Sequence, residues 1–413
     1  MMQVGANQIK SAGQSNQLEA LLGLSAILAL VLMPLNGLAE EIARQTGWEM
    51  MILEGLEALL LSFFLVGSFW LGWRRRFFFS WTKPDFFLLA YLLIAGLSFF
   101  WSGQGLADYL AGVRYSAALF IFYFAARILR QGDYWLPGVK IALGIVAVVA
   151  LGQFLAWWLI PSSLNWSPLA VRGLAGDLPR LSGSFTGPNQ LATWLVLALL
   201  ATLFVRPKAS WLNVILVTLI IATFSRSALL GLIGGLLAVV AWMPHSRPSA
   251  AYTLATVAVA ILLLLGIGGI FANQSLATAF NRSVSDSAHW QSPPAAAGAI
   301  LGSDPQEIIL GHGAGTAGPA TLDRRTGLIA ENWFLQITYE YGLAGLVTIV
   351  GFLYFLCQQA LWRRQPELLA MTVAIIINAL FLHPLSDNAA ATLLFFIGAG
   401  SFVRENDPEM ANA

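Results

Sequence analysis

Four short stretches hold side chains able to act on a substrate. Glu331 and Asn332 open an apolar segment that runs to about Cys357. A carboxylate placed there can take a proton from an incoming hydroxyl, and an amide beside it can orient that hydroxyl. The same pair also suits a plain helix start, because Asn is a good cap and acidic groups favour a helix N-terminus. Glu340 lies nine residues further on, roughly 13 Å along a helix. An ionisable group at that depth must face protein or water rather than lipid. In Thr223-Phe-Ser-Arg-Ser227, Ser225 and Arg226 occupy a very tight junction between apolar runs. Arg226 is either a snorkelling cation or a clamp whose planar fork matches phosphate oxygens. Arg180 precedes Gly187-Pro188-Asn189, a set that reads as a helix start with Pro in its first turn and leaves the arginine unexplained. Gly311-His-Gly-Ala-Gly315 offers backbone amides to an anion, with His312 either a base or an ordinary loop histidine. His383, Pro384 and Asp387 form a further polar turn. Glu54, Glu57 and Arg114 fall within apolar segments, where pairing among charges is the simplest role.

These residues are carried by an unusually apolar chain. Of 413 residues, 58% are hydrophobic and 10% charged, against about 25% charged in a soluble domain, and mean hydropathy is +0.72. The apolar residues fall in blocks long enough to cross a bilayer as helix, without the short alternating segments of a membrane barrel. The expected fold is all-α: a polytopic transmembrane bundle of about twelve spans, near 19–37, 52–72, 85–101, 108–128, 137–160, 188–206, 210–225, 227–244, 251–272, 332–357, 367–383 and 388–404. Every second loop is basic, carrying Arg74, Arg75, Arg76 and Lys83, then Arg127, Arg130 and Lys140, then Arg206 and Lys208, then Arg247, then Arg363 and Arg364. Basic loops stay cytoplasmic, so tails 1–18 and 405–413 are expected in the cytoplasm, with nine spans over 19–272 and three over 332–404. The four polar stretches then share the opposite face with one long loop, 273–331, which also holds Arg282. No cleavable leader is evident. A net charge of +1 speaks against a nucleic-acid partner. Cys357 stands alone, and the four histidines are too scattered for metal-ligand spacing, so no metal or other cofactor is expected. Gly231-x-x-x-Gly235 fits close helix packing, as Gly342 and Gly345 would if a neighbouring helix approached there. Asn273-Gln-Ser and Asn281-Arg-Ser match the glycosylation pattern, which is common by chance.

Three features, in this order along the chain, give it a family likeness: Arg180 to Gly187-Pro188-Asn189, the Ser225-Arg226 junction, and a long loop closing with Gly311-His-Gly-Ala-Gly315 and Glu331-Asn-x9-Gly-x2-Gly345. In these the chain resembles the O-antigen ligase and O-antigen polymerase superfamily of bacterial inner membranes. The resemblance implies a metal-independent membrane glycosyltransferase with a GT-C-like fold and a long periplasmic loop. Its donor would be a glycan on a polyprenyl diphosphate, and its acceptor a sugar hydroxyl on lipid A-core or on another glycan. Arg226 and Arg282 match the family's diphosphate-binding arginines, with Arg180 as a third. Asn189, Ser225, His312, Asn332 and Glu340 would border the substrates. The family pattern has His where this chain has Glu331, and a carboxylate there can still serve as acceptor-side base, with His312 or a residue near His383 as the other choices. A polymerase of the same family, a small-solute or anion transporter, and a non-enzymatic partner in envelope assembly are the competing readings. An enzyme predicts Arg226 and Arg282 near Glu331 in one outer cavity, whereas a transporter predicts a polar path towards the cytoplasmic side.

Overall fold

The computed structural model of the chain describes residues 2–46, 51–74, 81–129, 134–159, 174–175, 178–204, 211–246, 248, 251–255, 257–258, 283–319, 321 and 328–404. These residues are almost wholly helical. Extended pairing is confined to two two-residue strands, Leu174–Ala175 and Leu178–Pro179, joined antiparallel, and one isolated bridge between Ala317 and Leu328.

Five helices are long and apolar enough to cross a membrane: Gln17–Glu40, Leu53–Arg74, Lys83–Ser102, Leu136–Ala156 and Trp333–Arg363. Leu106–Ser116 and Ala118–Ile128, bent by 54° at their junction, count as a sixth when taken together. Pro188–Leu203, Asn213–Ala222, Arg226–Trp242, Pro366–Ala379 and Ala389–Val403 are apolar helices of 10–17 residues. Each window expected to span therefore meets an apolar helix, apart from 251–272, most of which lies outside the described residues, as do Arg282 and the tail 405–413.

The expected long loop contains the helices Ser283–Leu301 and Pro305–Leu310. Pro293 and Pro294 lie inside the first, and the alanines that follow favour helix. The second helix has Asp304 as its cap and Pro305 at its first turn, and the Asp304 amide donates to the Glu307 carboxylate at 3.1 Å.

Small residues set a close helix contact. Arg226–Trp242 packs along Pro366–Ala379. A Cβ on Gly231 would come within 2.8 Å of the Ala374 carbonyl, and one on Gly235 within 2.5 Å of that of Ala370. The Gly-x-x-x-Gly reading is thus met by an Ala-x-x-x-Ala face on the partner, the pattern that lets helices approach where lipid gives no hydrophobic drive. At the bundle's centre Phe120 stacks on Phe396 at 4.2 Å, with Trp333 and Phe352 against the same pair. Trp333 of this aromatic layer opens the Trp333–Arg363 helix, one of several apolar helices whose ends carry polar residues.

Candidate active site

Polar side chains tie those helix ends together. Helix Pro188–Leu203 starts as its sequence suggests, with Gly187 as an extended cap and Pro188 in the first turn. Arg180 reaches across its start. Its Nε donates to the Thr223 carbonyl at 2.9 Å and a terminal nitrogen to Asn189 Oδ1 at 2.8 Å. That bond joins the Gly-Pro-Asn stretch to the tight junction before Arg226, where Phe224 turns the chain with φ 52. Gln190 donates to the Asp387 carbonyl at 2.8 Å, and the Asn388 side chain donates to the Gln190 carbonyl at 2.7 Å. Deeper, Asn378 donates to Thr193 Oγ1 at 2.8 Å. Asn332 caps the Trp333–Arg363 helix by accepting from the Leu335 amide at 3.0 Å, and also donates to the Leu380 carbonyl at 3.0 Å. Trp333 Nε1 donates to Ser386 Oγ at 2.9 Å.

Between these ends lies a cleft of about 360 Å³ whose walls include Asn189, Gln190, Glu331, His383, Asp387 and Asn388. Glu331 occupies it in a left-handed backbone conformation, φ 49, which is strained for a residue with a side chain and is found most often where a site requires it. His383 is only 9% exposed. Neither of its ring nitrogens has a hydrogen-bond partner among the described residues, although buried polar groups are normally bonded. Burial lowers its pKa to about 4 against the opposing pull of the Glu331 charge, so the imidazole is neutral near pH 7. Asp387 is exposed at the cleft. Desolvation by the protein around its carboxyl raises its pKa to about 6, the Gln190 hydrogen bond lowering it and the Glu331 charge raising it. The result is an acid–imidazole group with a carboxylate able to accept a proton and a neutral ring whose two nitrogens are buried without hydrogen-bond partners among the described residues.

The other expected residues are placed elsewhere. Gly342 is the break in its helix, with φ 66 and ψ −170, and the neighbour it admits is the backbone of Ile309 and Leu310 at the end of the Pro305–Leu310 helix. The break frees carbonyls that a continuous helix would use. The His312 amide donates to Tyr339 O at 2.9 Å and the Gly313 amide to Glu340 O at 2.8 Å. Those two amides of the glycine-rich turn thus bind helix, where an anion cradle was one reading of them. The His312 ring stacks on Tyr339 at 4.1 Å, with its nitrogens 3.2 Å from Tyr339 O and 3.3 Å from Ser303 Oγ. Glu340 is fully buried and faces the same turn, accepting from Gln336 at 3.2 Å and from the Ala317 amide at 3.4 Å. His312 and Glu340 are absent from the cleft lining, as are Ser225 and Arg226. Ser225 is buried at the helix cap and Arg226 is exposed as the first helical residue. The shared cavity expected for Arg226 and Glu331 is therefore replaced by a relay, with Arg180 linking the Arg226 junction to Asn189 in the cleft wall.

No protein-family model and no curated protein matches this chain. Gln190, Asn388 and Thr193 escaped the sequence reading. Each is an unremarkable polar residue in the first turns of an apolar helix, and the cleft joins positions nearly 200 residues apart.

Proposed function

We propose that the protein is a membrane glycosyltransferase of the O-antigen ligase and polymerase kind, moving a glycan from a polyprenyl diphosphate to an acceptor hydroxyl at this cleft. The observation that carries the reading is Glu331, held at φ 49 in one cleft with a buried His383 whose ring nitrogens lack hydrogen-bond partners among the described residues. In the proposed step the acceptor oxygen attacks the anomeric carbon of the donor. The bond from that carbon to the diphosphate oxygen breaks, and the diphosphate leaves with the electron pair. Glu331 takes the hydroxyl proton, and His383 hydrogen-bonds the sugar as a neutral group. Negative charge grows on the leaving diphosphate, so cations fixed in advance lower the barrier. Arg180, bound to Asn189 and the Thr223 carbonyl, and the exposed Arg226 beyond it supply that charge. Arg282 is the third cation of the proposal.

The reading extends to a twelve-span GT-C-like bundle in a bacterial inner membrane, both termini cytoplasmic and the cleft periplasmic, which the alternating basic loops support. The test is to incubate purified protein with a polyprenyl-diphosphate-linked oligosaccharide and a panel of acceptors, for wild type, Arg180→Ala, Arg226→Ala and Glu331→Gln. Released polyprenyl diphosphate with matching acceptor mass gain, lost in the variants, is the expected result. Lipid A-core as productive acceptor identifies a ligase, and a carrier-linked glycan a polymerase. No transfer from folded protein to any acceptor overturns the reading, and solute flux through the same protein in vesicles would then favour a transporter.

A further inference from the structure

A second, larger cavity of about 550 Å³ adjoins the cleft, and Asp387 lines both. Its walls come from the helices Met51–Arg74 and Leu106–Ser116, the tight helical turn Met33–Leu35 with Asn36, and the turn around Ser386 and Asp387. The polar lining is Asn36, Glu54, Glu57, Arg114, Tyr115 and Asp387, above an apolar floor. Glu57 is the residue that needs explaining. It is 6% exposed. One carboxylate oxygen accepts from Asn36 Nδ2 at 2.9 Å, while the other is buried with no partner among the described residues. The Asn36 side-chain oxygen is likewise buried without one. Two buried acceptors without partners among the described residues belong to residues of this one cavity wall, and a ligand that donates hydrogen bonds would satisfy them, because unmet buried acceptors cost about 1–3 kcal/mol each.

Charge narrows the ligand. Three carboxylates face one guanidinium in this cavity, so a diphosphate placed here would meet like charge, which costs several kcal/mol. Arg180, proposed for the leaving group, is bonded to Asn189 of the cleft, and neither residue lines this cavity. Hydroxyl groups suit the cavity, because each donates to a carboxylate or amide oxygen and accepts from Arg114. Tyr115, 40% exposed, offers a flat apolar face of the kind on which sugar rings stack.

We infer that this cavity is the acceptor subsite, taking the uncharged, hydroxyl-rich end of a glycan and passing its reactive hydroxyl past Asp387 into the cleft. The inference rests on the glycosyltransferase reading for the word acceptor, but the binding it predicts is measurable without transfer. The full-length protein in lipid nanodiscs is titrated calorimetrically with a set of neutral hexose tetrasaccharides, with their terminally phosphorylated counterparts, and separately with undecaprenyl diphosphate. Wild type should bind at least one neutral tetrasaccharide and hold it more tightly than its phosphorylated form. Glu57→Gln should weaken that binding about tenfold, the loss of one hydrogen bond to a charged group. Ala118→Trp, which fills the cavity without removing a polar group, should abolish it and guards against a Glu57 variant that fails to fold. Undecaprenyl diphosphate should bind all three proteins alike. Tetrasaccharide binding unchanged in both variants, tighter binding of the phosphorylated sugars, or no binding by wild type overturns the subsite. Failure of wild type to bind undecaprenyl diphosphate or to transfer a glycan counts against the glycosyltransferase reading instead, with the tetrasaccharide result still judging the cavity.

Discussion

The glycine-rich turn on the broken helix and the cleft at Glu331 hold the same kinds of side chain, and they differ in what those side chains touch. At the turn, His312 stacks on Tyr339 and both its nitrogens lie near protein oxygens, while Glu340 accepts from Gln336 and the Ala317 amide. In the cleft, His383 has no ring partner among the described residues, and Glu331 is kept in a strained conformation beside it. A histidine that bonds to its own protein holds the fold together. A histidine and a glutamate on the cleft wall are placed to meet a substrate. The contrast predicts that damage at the turn appears as lost stability and damage in the cleft as lost activity.

The largest effect is expected at Gly342. Alanine there must adopt φ near 66 and overlaps the Ile309 backbone, so Gly342→Ala should destabilise the fold by about 3 kcal/mol or more, read as a lowered melting temperature in detergent. An unchanged melting temperature would remove the turn's structural role. His383→Ala should leave melting nearly unchanged and reduce transfer about a hundredfold, within the range for a group that handles a reacting proton or hydroxyl. A thermal loss comparable to that of Gly342→Ala would instead make His383 a packing residue.

Smaller effects test the charge of the cleft. Asp387 is protonated below about pH 6 and ionised above it, so acceptor turnover should fall about tenfold per unit as pH drops below 6, the slope for one required proton loss. Asp387→Asn should abolish that inflection. His383, with a pKa of about 4, stays neutral through this window and is not its source. Smallest of all, His312→Phe keeps the stack on Tyr339 but loses the ring hydrogen bonds, and should cost about 1 kcal/mol of stability while transfer changes less than about threefold.

Much of the scaffold was written in local pattern. Pro188 and Asn332 marked helix starts because capping chemistry is set within four residues, and Gly231 with Gly235 announced a close helix contact. Hydropathy ran through Gly342 without a signal, because a single positive φ leaves the apolar character of a helix intact. The cleft was only partly legible. Glu331, Asn189 and Arg180 stood out as charged or capping residues in an apolar chain, and the turn at His383 and Asp387 was noticed without being joined to them. Their meeting depends on which helix ends lie side by side, a relation between positions as far apart as Gln190 and Asp387. Sequence alone could not tell the bonded histidine from the open one, since only folding decides what surrounds each ring.

The most direct test is Glu331→Gly, with melting temperature and glycan transfer measured on the same preparation. Glycine adopts φ near 49 without strain, so the account predicts a fold more stable by about 1 kcal/mol together with transfer reduced at least about a hundredfold. A variant that transfers as well as wild type would contradict the placement of the chemistry at this cleft.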